Sequence, residues 1–290
     1  MSMSVPISPI PIRHDSAVAM PEAIPRVHPW HKPLPPLLYK YSPPERFHVL
    51  TDCTFRFSQR EVFHDQRDLR PEVANFGTAQ EIRAFMDNDP VLARYAPALK
   101  EAVIGHVLNT PGREEELIRQ TQSWLTAPEQ FAVFCLSENG GSRRMWHQYA
   151  RNGTGFVVAF DSYHPAFGSL KTPGLIGEIE YSDEPISSFL STYGASSFFR
   201  KRTRYAFEVE WRSVRALSRF RDIVNPANGP AIYRARFNPT CIREILILRE
   251  CSVEWELRTL AAVDARYRHA AVTLLDSSHC IDHDVPKRSP

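Results

Sequence analysis

No run of apolar residues in this chain approaches the roughly 20 that a membrane-spanning helix requires. Its start lacks the basic residues and continuous apolar stretch of a secretory signal. It also has no C-x-x-C pair. The five cysteines, Cys53, Cys135, Cys241, Cys251 and Cys280, stand apart, and an odd count without pairing motifs reads as reduced thiols. Neither charge dominates: 35 basic side chains against 33 acidic ones leave +2, so there is no global pull towards nucleic acid or anionic lipid. A Walker loop and a G-x-G-x-x-G motif are both missing, which argues against the two common nucleotide folds. These absences lead to the expectation of a cytoplasmic protein with no membrane association.

What is present describes a globular chain. Of 290 residues, 43% are hydrophobic, 23% charged and 11% aromatic, outside the range of collagen-like or disordered proteins. A chain of this length buries about three quarters of its unfolded surface, so its core needs neither disulfide nor metal. Nine of the 24 prolines fall within residues 1–36. Each ring fixes φ and removes a backbone donor, so this segment reads as a disordered, polyproline-like tail. Residues 37–283 then form one domain, and 284–290 a flexible C-terminus.

Within that domain, Leu37–Tyr41 reads as a short strand stopped by Pro43-Pro44. Thr54–Ser58 reads as a second, with Phe55 and Phe57 on one face and Arg56 on the other. Helical stripes follow. Ile82, Phe85 and Met86 fit one; Val91, Leu92, Tyr95, Leu99, Val103 and Val107 fit another, with Pro90 near its start. Glu114 to Leu125 fits a third. Phe131–Leu136 is a continuous apolar run that predicts a buried strand. Met145–Ala150 predicts a short helix, and Asn152-Gly153 turns the chain into a strand over Gly155–Phe160. Another strand is expected over Ile176–Tyr181, and a helix from Ile186 to about Arg202. Tyr205 to Val214 alternates cleanly, which predicts a strand with Tyr205, Phe207, Val209 and Trp211 on one face and Glu208, Glu210 and Arg212 on the other. Glu244–Leu248 is a further strand, Ser252 caps a helix reaching about Arg268, and Ala271–Leu275 closes the domain. Helices come in blocks between strands without βαβ rhythm, so the expected class is α+β with a central, mostly antiparallel sheet.

Several of these segments carry a family resemblance. Leu38-Tyr39-Lys40-Tyr41, Phe55–Ser58 with Phe63–Asp68, Cys135–Ser137, Met145-Trp146-x-x-Tyr149-Ala150 with Gly155, Glu208-x-Glu210-Trp211-Arg212 and Phe237-x-Pro239 occur in this order. Together they resemble domain-of-unknown-function family 2971, found in bacteria and their mobile elements, over roughly residues 37 to 283. The resemblance implies a grouping rather than an activity. This chain departs from the pattern at His64-Asp65-Gln66-Arg67, where relatives usually carry Asn-Asp-Pro-Phe. It also has Gly153 where a histidine is frequent and Val157 where a cysteine is.

Glu208 and Glu210 are the foremost candidates for chemistry. Two residues apart on a strand, their side chains leave the same face about 7 Å apart at the backbone. A Glu-x-Glu strand resembles that of ADP-ribosyltransferases. The likeness implies that Glu210 stabilises the oxocarbenium ion formed as nicotinamide leaves NAD, while Glu208 helps activate a protein acceptor. On that reading Arg56 and Arg212 bind the diphosphate, Tyr149 or Tyr39 stacks on a ring, and NAD is a substrate rather than a resident cofactor. The expected role is that of an NAD-consuming effector, of the toxin or phage-defence type. The competing account is a half-buried strand with a wet polar face, its acids screened by Arg212.

Other candidates are weaker. His147 has the pKa range of a general base, but a helix-surface position with no catalytic task fits it better. Cys135 lies inside an apolar run, where burial keeps the thiol inert, so a Cys135–His147 thiol protease is rejected. The histidines are scattered, and the group His279-Cys280-x-Asp282-His283-Asp284 lacks a matching half elsewhere, so no metal is expected. Arg200, Lys201, Arg202 and Arg204 follow Phe198-Phe199, and such a mixture of cations and aromatics could contact nucleic acid. A helix end complemented by cations explains the same run. Two alternatives to the transferase therefore stand: a non-catalytic module holding protein or nucleic acid, and a hydrolase or nuclease using Glu208 and Glu210.

Overall fold

A computed structural model of the chain describes residues 33–63, 65, 67–125, 130–164, 174–192 and 198–281. The proline-rich segment up to residue 32, the last nine residues and most of the His279–Asp284 group lie outside the described residues.

The fold is α+β. Seven strands make the main sheet: β1 (Leu37–Ser42), β3 (Phe131–Ser137), β4 (Phe156–Asp161), β5 (Gly174–Glu178), β8 (Glu210–Ala216), β11 (Ile242–Leu248) and β12 (Ala271–Leu275). Their order is β12-β11-β4-β1-β3-β8-β5, and every neighbouring pair is antiparallel except β11 with β12. A second sheet, β2-β10-β9, is built from β2 (Thr54–Phe57), β9 (Asp222–Val224) and β10 (Ile232–Arg236). β6 (Glu180–Tyr181) and β7 (Arg200–Lys201) form a short parallel pair. The helices are α1 (His48–Asp52), α2 (Ala79–Asn88), α3 (Pro97–Asn109), α4 (Arg113–Leu125), α5 (Arg143–Tyr149) and α6 (Val253–Arg266).

Side-chain alternation divides the main sheet into two chemically different faces. Leu136 stands opposite Trp211 and Cys135 opposite Arg212. One face therefore presents Phe134, Leu136 and Trp211, while the other presents Cys135, Ser137, Glu210 and Arg212. The apolar face packs against the inward side of the three-stranded sheet. Phe55 meets Phe134 at 5.7 Å and Phe237 at 5.0 Å between ring centroids, both edge-on, and Phe57 stacks on Phe134 at 5.2 Å. Each fully buried ring contributes about 2–3 kcal/mol of apolar burial. On the other face, α5 covers β1, β4 and β11, burying Met145 and Trp146 among Tyr41, Val157 and Leu248. Ser142 caps this helix by accepting from the Met145 amide. At the start of β4 the backbone passes so close that a Cβ on Gly155 would lie 2.1 Å from the Ser42 carbonyl oxygen, which only glycine tolerates. A third apolar cluster joins α2 and α3 to Phe76, Phe189 and Leu190.

Strands β1, β3, β4, β11 and β12 and helices α4 and α6 form where periodicity places them. Three expectations fail. The stripe from Val91 to Val107 is not one helix. The Asp89 carboxylate accepts from the Val91 and Leu92 amides and closes a separate 3-10 turn over Leu92–Arg94. The helix starts afresh at Pro97, which leaves Val91 65% and Leu99 47% exposed. No helix ends at Arg202. Ile186 bridges Val73, and Arg200–Lys201 is the strand β7. Phe189 packs on Phe76 and Phe198 on Phe131, so different partners hold the two ends of the expected helix; its residues 193–197 lie outside the described residues. Finally, the strand expected from Tyr205 begins only at Glu210, because Thr203–Glu208 winds into a 3-10 turn.

Candidate functional site: a buried carboxylate pair

The junction between that turn and β8 builds the site. Val209, the residue between the two glutamates, takes φ 41° and ψ 53°, a left-handed conformation that a β-branched side chain rarely adopts. The reversal lets both carboxylates reach one ammonium group. Lys201, from β7, donates to Glu208 Oε2 at 2.5 Å and to Glu210 Oε2 at 3.0 Å, and its Nζ lies 3.7 Å from Asp68 Oδ2. Tyr149, at the end of α5, donates its hydroxyl to Glu208 Oε1 at 2.5 Å. The Ser137 hydroxyl holds the Glu208 carbonyl, and the Glu210 amide donates to the Tyr181 hydroxyl at 2.7 Å.

Arg212 is completely buried, and all five of its N–H donors are used. It grips Glu210 through Nε at 2.9 Å and Nη2 at 3.1 Å. It grips Asp68 through Nη1 at 2.9 Å and Nη2 at 3.4 Å, and donates once more to the Phe198 carbonyl at 2.7 Å. Lys201 lies among the carboxylates of Asp68, Glu208 and Glu210. Among the described residues, no group of three or more histidine, cysteine, aspartate or glutamate side chains is arranged to hold a metal ion.

The environment separates the two glutamates electrostatically. Burial and the neighbouring Glu210 charge raise Glu208, against the pull of Lys201, to about 7. Burial also acts against ionised Glu210, but Arg212 and Lys201 outweigh it and hold this carboxyl far below the usual range. The Tyr149 phenol is pushed above its ordinary value by burial and by the Glu208 charge. Cys135, behind the pair, is pushed up to about 12 by burial and by Glu210, so it is an unreactive thiol.

Of the residues singled out by sequence, Glu208, Glu210, Arg212 and Tyr149 come together. Tyr39 and Arg56 do not join them. Tyr39 stands beside Ser137 in the sheet, but its ring is pressed against Gly140, where an added Cβ would lie 2.6 Å away. Arg56 belongs to the other sheet, opposite Arg234, and among the described residues no hydrogen bond or ion pair links it to either glutamate. His147 is exposed on α5. The basic run is not an open patch: Arg200 pairs with Glu180 at 3.0 Å, Lys201 is buried, and Arg202 and Arg204 share Asp65 at 2.8 Å and 3.4 Å. Arg200 and Lys201 are thus paired with carboxylates, while Arg202 and the more exposed Arg204 share a single one. The roles of Asp68 and Tyr181 were invisible in sequence because their partners lie far away along the chain, and that of Lys201 because it depends on the turn over Thr203–Glu208.

The five cysteines form no disulfide. Among the described residues no helix is long and apolar enough to cross a membrane. No family model matches the sequence, and no characterised protein or solved structure matches it significantly.

Proposed function

We propose that the chain is an enzyme of glycosyl-transfer type that consumes NAD, breaking the bond between nicotinamide and its ribose. One observation carries this reading: two adjacent carboxylates share an ammonium while their proton affinities are driven apart, the arrangement that separates an acid–base group from a permanent anion. Glu208, which changes protonation near neutrality, takes the proton from the attacking hydroxyl of an acceptor. Glu210 remains ionised and faces the positive charge that develops on the ribose. Arg212 and Asp68 are positioning residues that fix the Glu210 carboxylate. Tyr149 orients Glu208.

A second reading is favoured by burial: Glu208 and Glu210 are 3% and 4% exposed. On it the cluster is structural and the chain is a non-catalytic binding module. Nicotinamide release from NAD across the neutral range, with and without cell lysate, separates the two. The enzyme reading expects release that rises as pH passes about 7. It also expects a loss of at least about 100-fold in Glu208→Gln and Glu210→Gln variants with unchanged circular dichroism. Folded wild-type protein that releases no nicotinamide in either condition leaves the binding module.

A further inference from the structure

A different arginine cluster lies on the three-stranded sheet. Arg56 of β2 and Arg234 of β10 stand directly opposite each other, where like charges oppose strand pairing. Phe55, Phe57, Tyr233 and Ala235 point into the core, so Arg56, Arg234 and Arg236 share the outward face. Arg234 is answered by Asp222, to which it donates at 2.8 and 3.1 Å. Arg56 has no such answer. Among the described residues no carboxylate bonds to it, and its Nε is buried without a hydrogen-bond partner. A buried, unbonded donor of this kind costs about 1–3 kcal/mol. Arg46, half-buried in the turn after β1, lies within electrostatic reach of Arg56 and adds a second positive charge. Its one acidic neighbour, Glu45, is shared with Arg151. The surrounding sequence is also one-sided: from Arg215 to Arg236 there are five arginines and a single acid, Asp222.

The geometry points to a phosphate-binding surface on the outer face of β2 and β10. Arg56 and Arg46 take the phosphate oxygens there, and Arg234 and Arg236 flank them. An oxyanion supplies both things the site lacks: an acceptor for the orphaned Arg56 Nε and negative charge between opposed guanidinium groups, whose planar forks match phosphate. The phosphate comes either from a nucleotide diphosphate or from a nucleic-acid backbone. This inference does not depend on the chemistry of Glu208 and Glu210.

Binding of inorganic pyrophosphate, followed by calorimetry, and of a fluorescein-labelled single-stranded oligonucleotide, followed by anisotropy, tests it. Arg56→Gln and the exposed Arg236→Gln are each expected to weaken binding roughly tenfold, while Arg200→Gln, whose charge Glu180 meets and which lies on β7 rather than on this sheet, leaves it unchanged. Circular dichroism confirms folding, and Arg236→Gln carries the test if Arg56→Gln does not fold. Saturable pyrophosphate binding identifies the nucleotide source. Binding of the oligonucleotide alone, falling steeply with salt, identifies the backbone source. If folded wild type binds neither probe, or if the sheet variants bind as well as wild type, the proposal is overturned.

Discussion

Between Glu208 and Glu210 the left-handed backbone of Val209 costs about 1–2 kcal/mol relative to an extended residue. The surrounding contacts offset that cost: two carboxylates and an ammonium meet within 3.0 Å, with Tyr149 closing the far side of Glu208. The same crowding makes stability depend on pH in a definite direction. Folded Glu208 titrates at about 7, above its ordinary carboxylate value near 4.5, so between those limits the folded state binds more protons than the unfolded one. Stability from this group is therefore greatest below about pH 4.5 and declines as pH rises to about 7, by up to about 3 kcal/mol. Glu210 acts in the opposite sense, but its loss of stability falls at far lower pH, where it finally accepts a proton. Urea midpoints measured from pH 5 to 8 should fall for wild type and be flatter for Glu208→Gln. Parallel curves for the two proteins would show that Glu208 does not titrate in this window.

At the scale of the element, sequence patterns worked wherever one force acted alone. Ser252 accepts from the Trp255 amide and starts α6 where the cap residue predicts. The apolar run at Phe131 becomes β3, buried on both faces. Patterns failed where tertiary contacts competed. The alternation from Tyr205 to Trp211 suits a strand, yet the first half coils because Lys201 and Tyr149 draw Glu208 inward. The carboxylate pair was thus legible in sequence, but the geometry that makes it converge was not. Asp68 stood in the Phe63–Asp68 segment, far earlier in the chain, with nothing local to tie it to Arg212. α6 offers a test of how partial such patterns are. Thr259 and Val263 face the core at 0% and 6% exposure, while Val253, Leu257 and Leu260 form an i, i+4, i+7 stripe that is 71%, 61% and 40% exposed. Leu257→Gln should shift unfolding free energy by less than about 0.5 kcal/mol, whereas Val263→Ala costs about 2 kcal/mol. Comparable losses in urea denaturation would mean that the outer stripe is covered in solution.

At the scale of the molecule, charge holds the half of the polar face around β8, while α5 covers the other half with an apolar cluster and aromatic rings hold the opposite face. Arg212 gathers Asp68 from the segment after β2, the Phe198 carbonyl from the segment before β7, and Glu210 from its own strand. A second bridge, from α5 through Tyr149 to Glu208 and Lys201, ties the remaining covering layer to this centre. Attraction between buried ions is largely consumed by their desolvation, so the network need not add much net stability over an apolar core of the same shape. Removing one member is a different matter, because the others remain buried and uncompensated. Arg212→Leu strands two carboxylates and a carbonyl that it had satisfied, and should cost about 3–5 kcal/mol. Arg200→Gln, which breaks the more exposed pair with Glu180, should cost less than about 1 kcal/mol. Thermal and urea unfolding of both variants would check the contrast. If Arg212→Leu loses no more than Arg200→Gln, water reaches the cluster in solution, and the layer over the carboxylate pair opens far more readily than its burial implies.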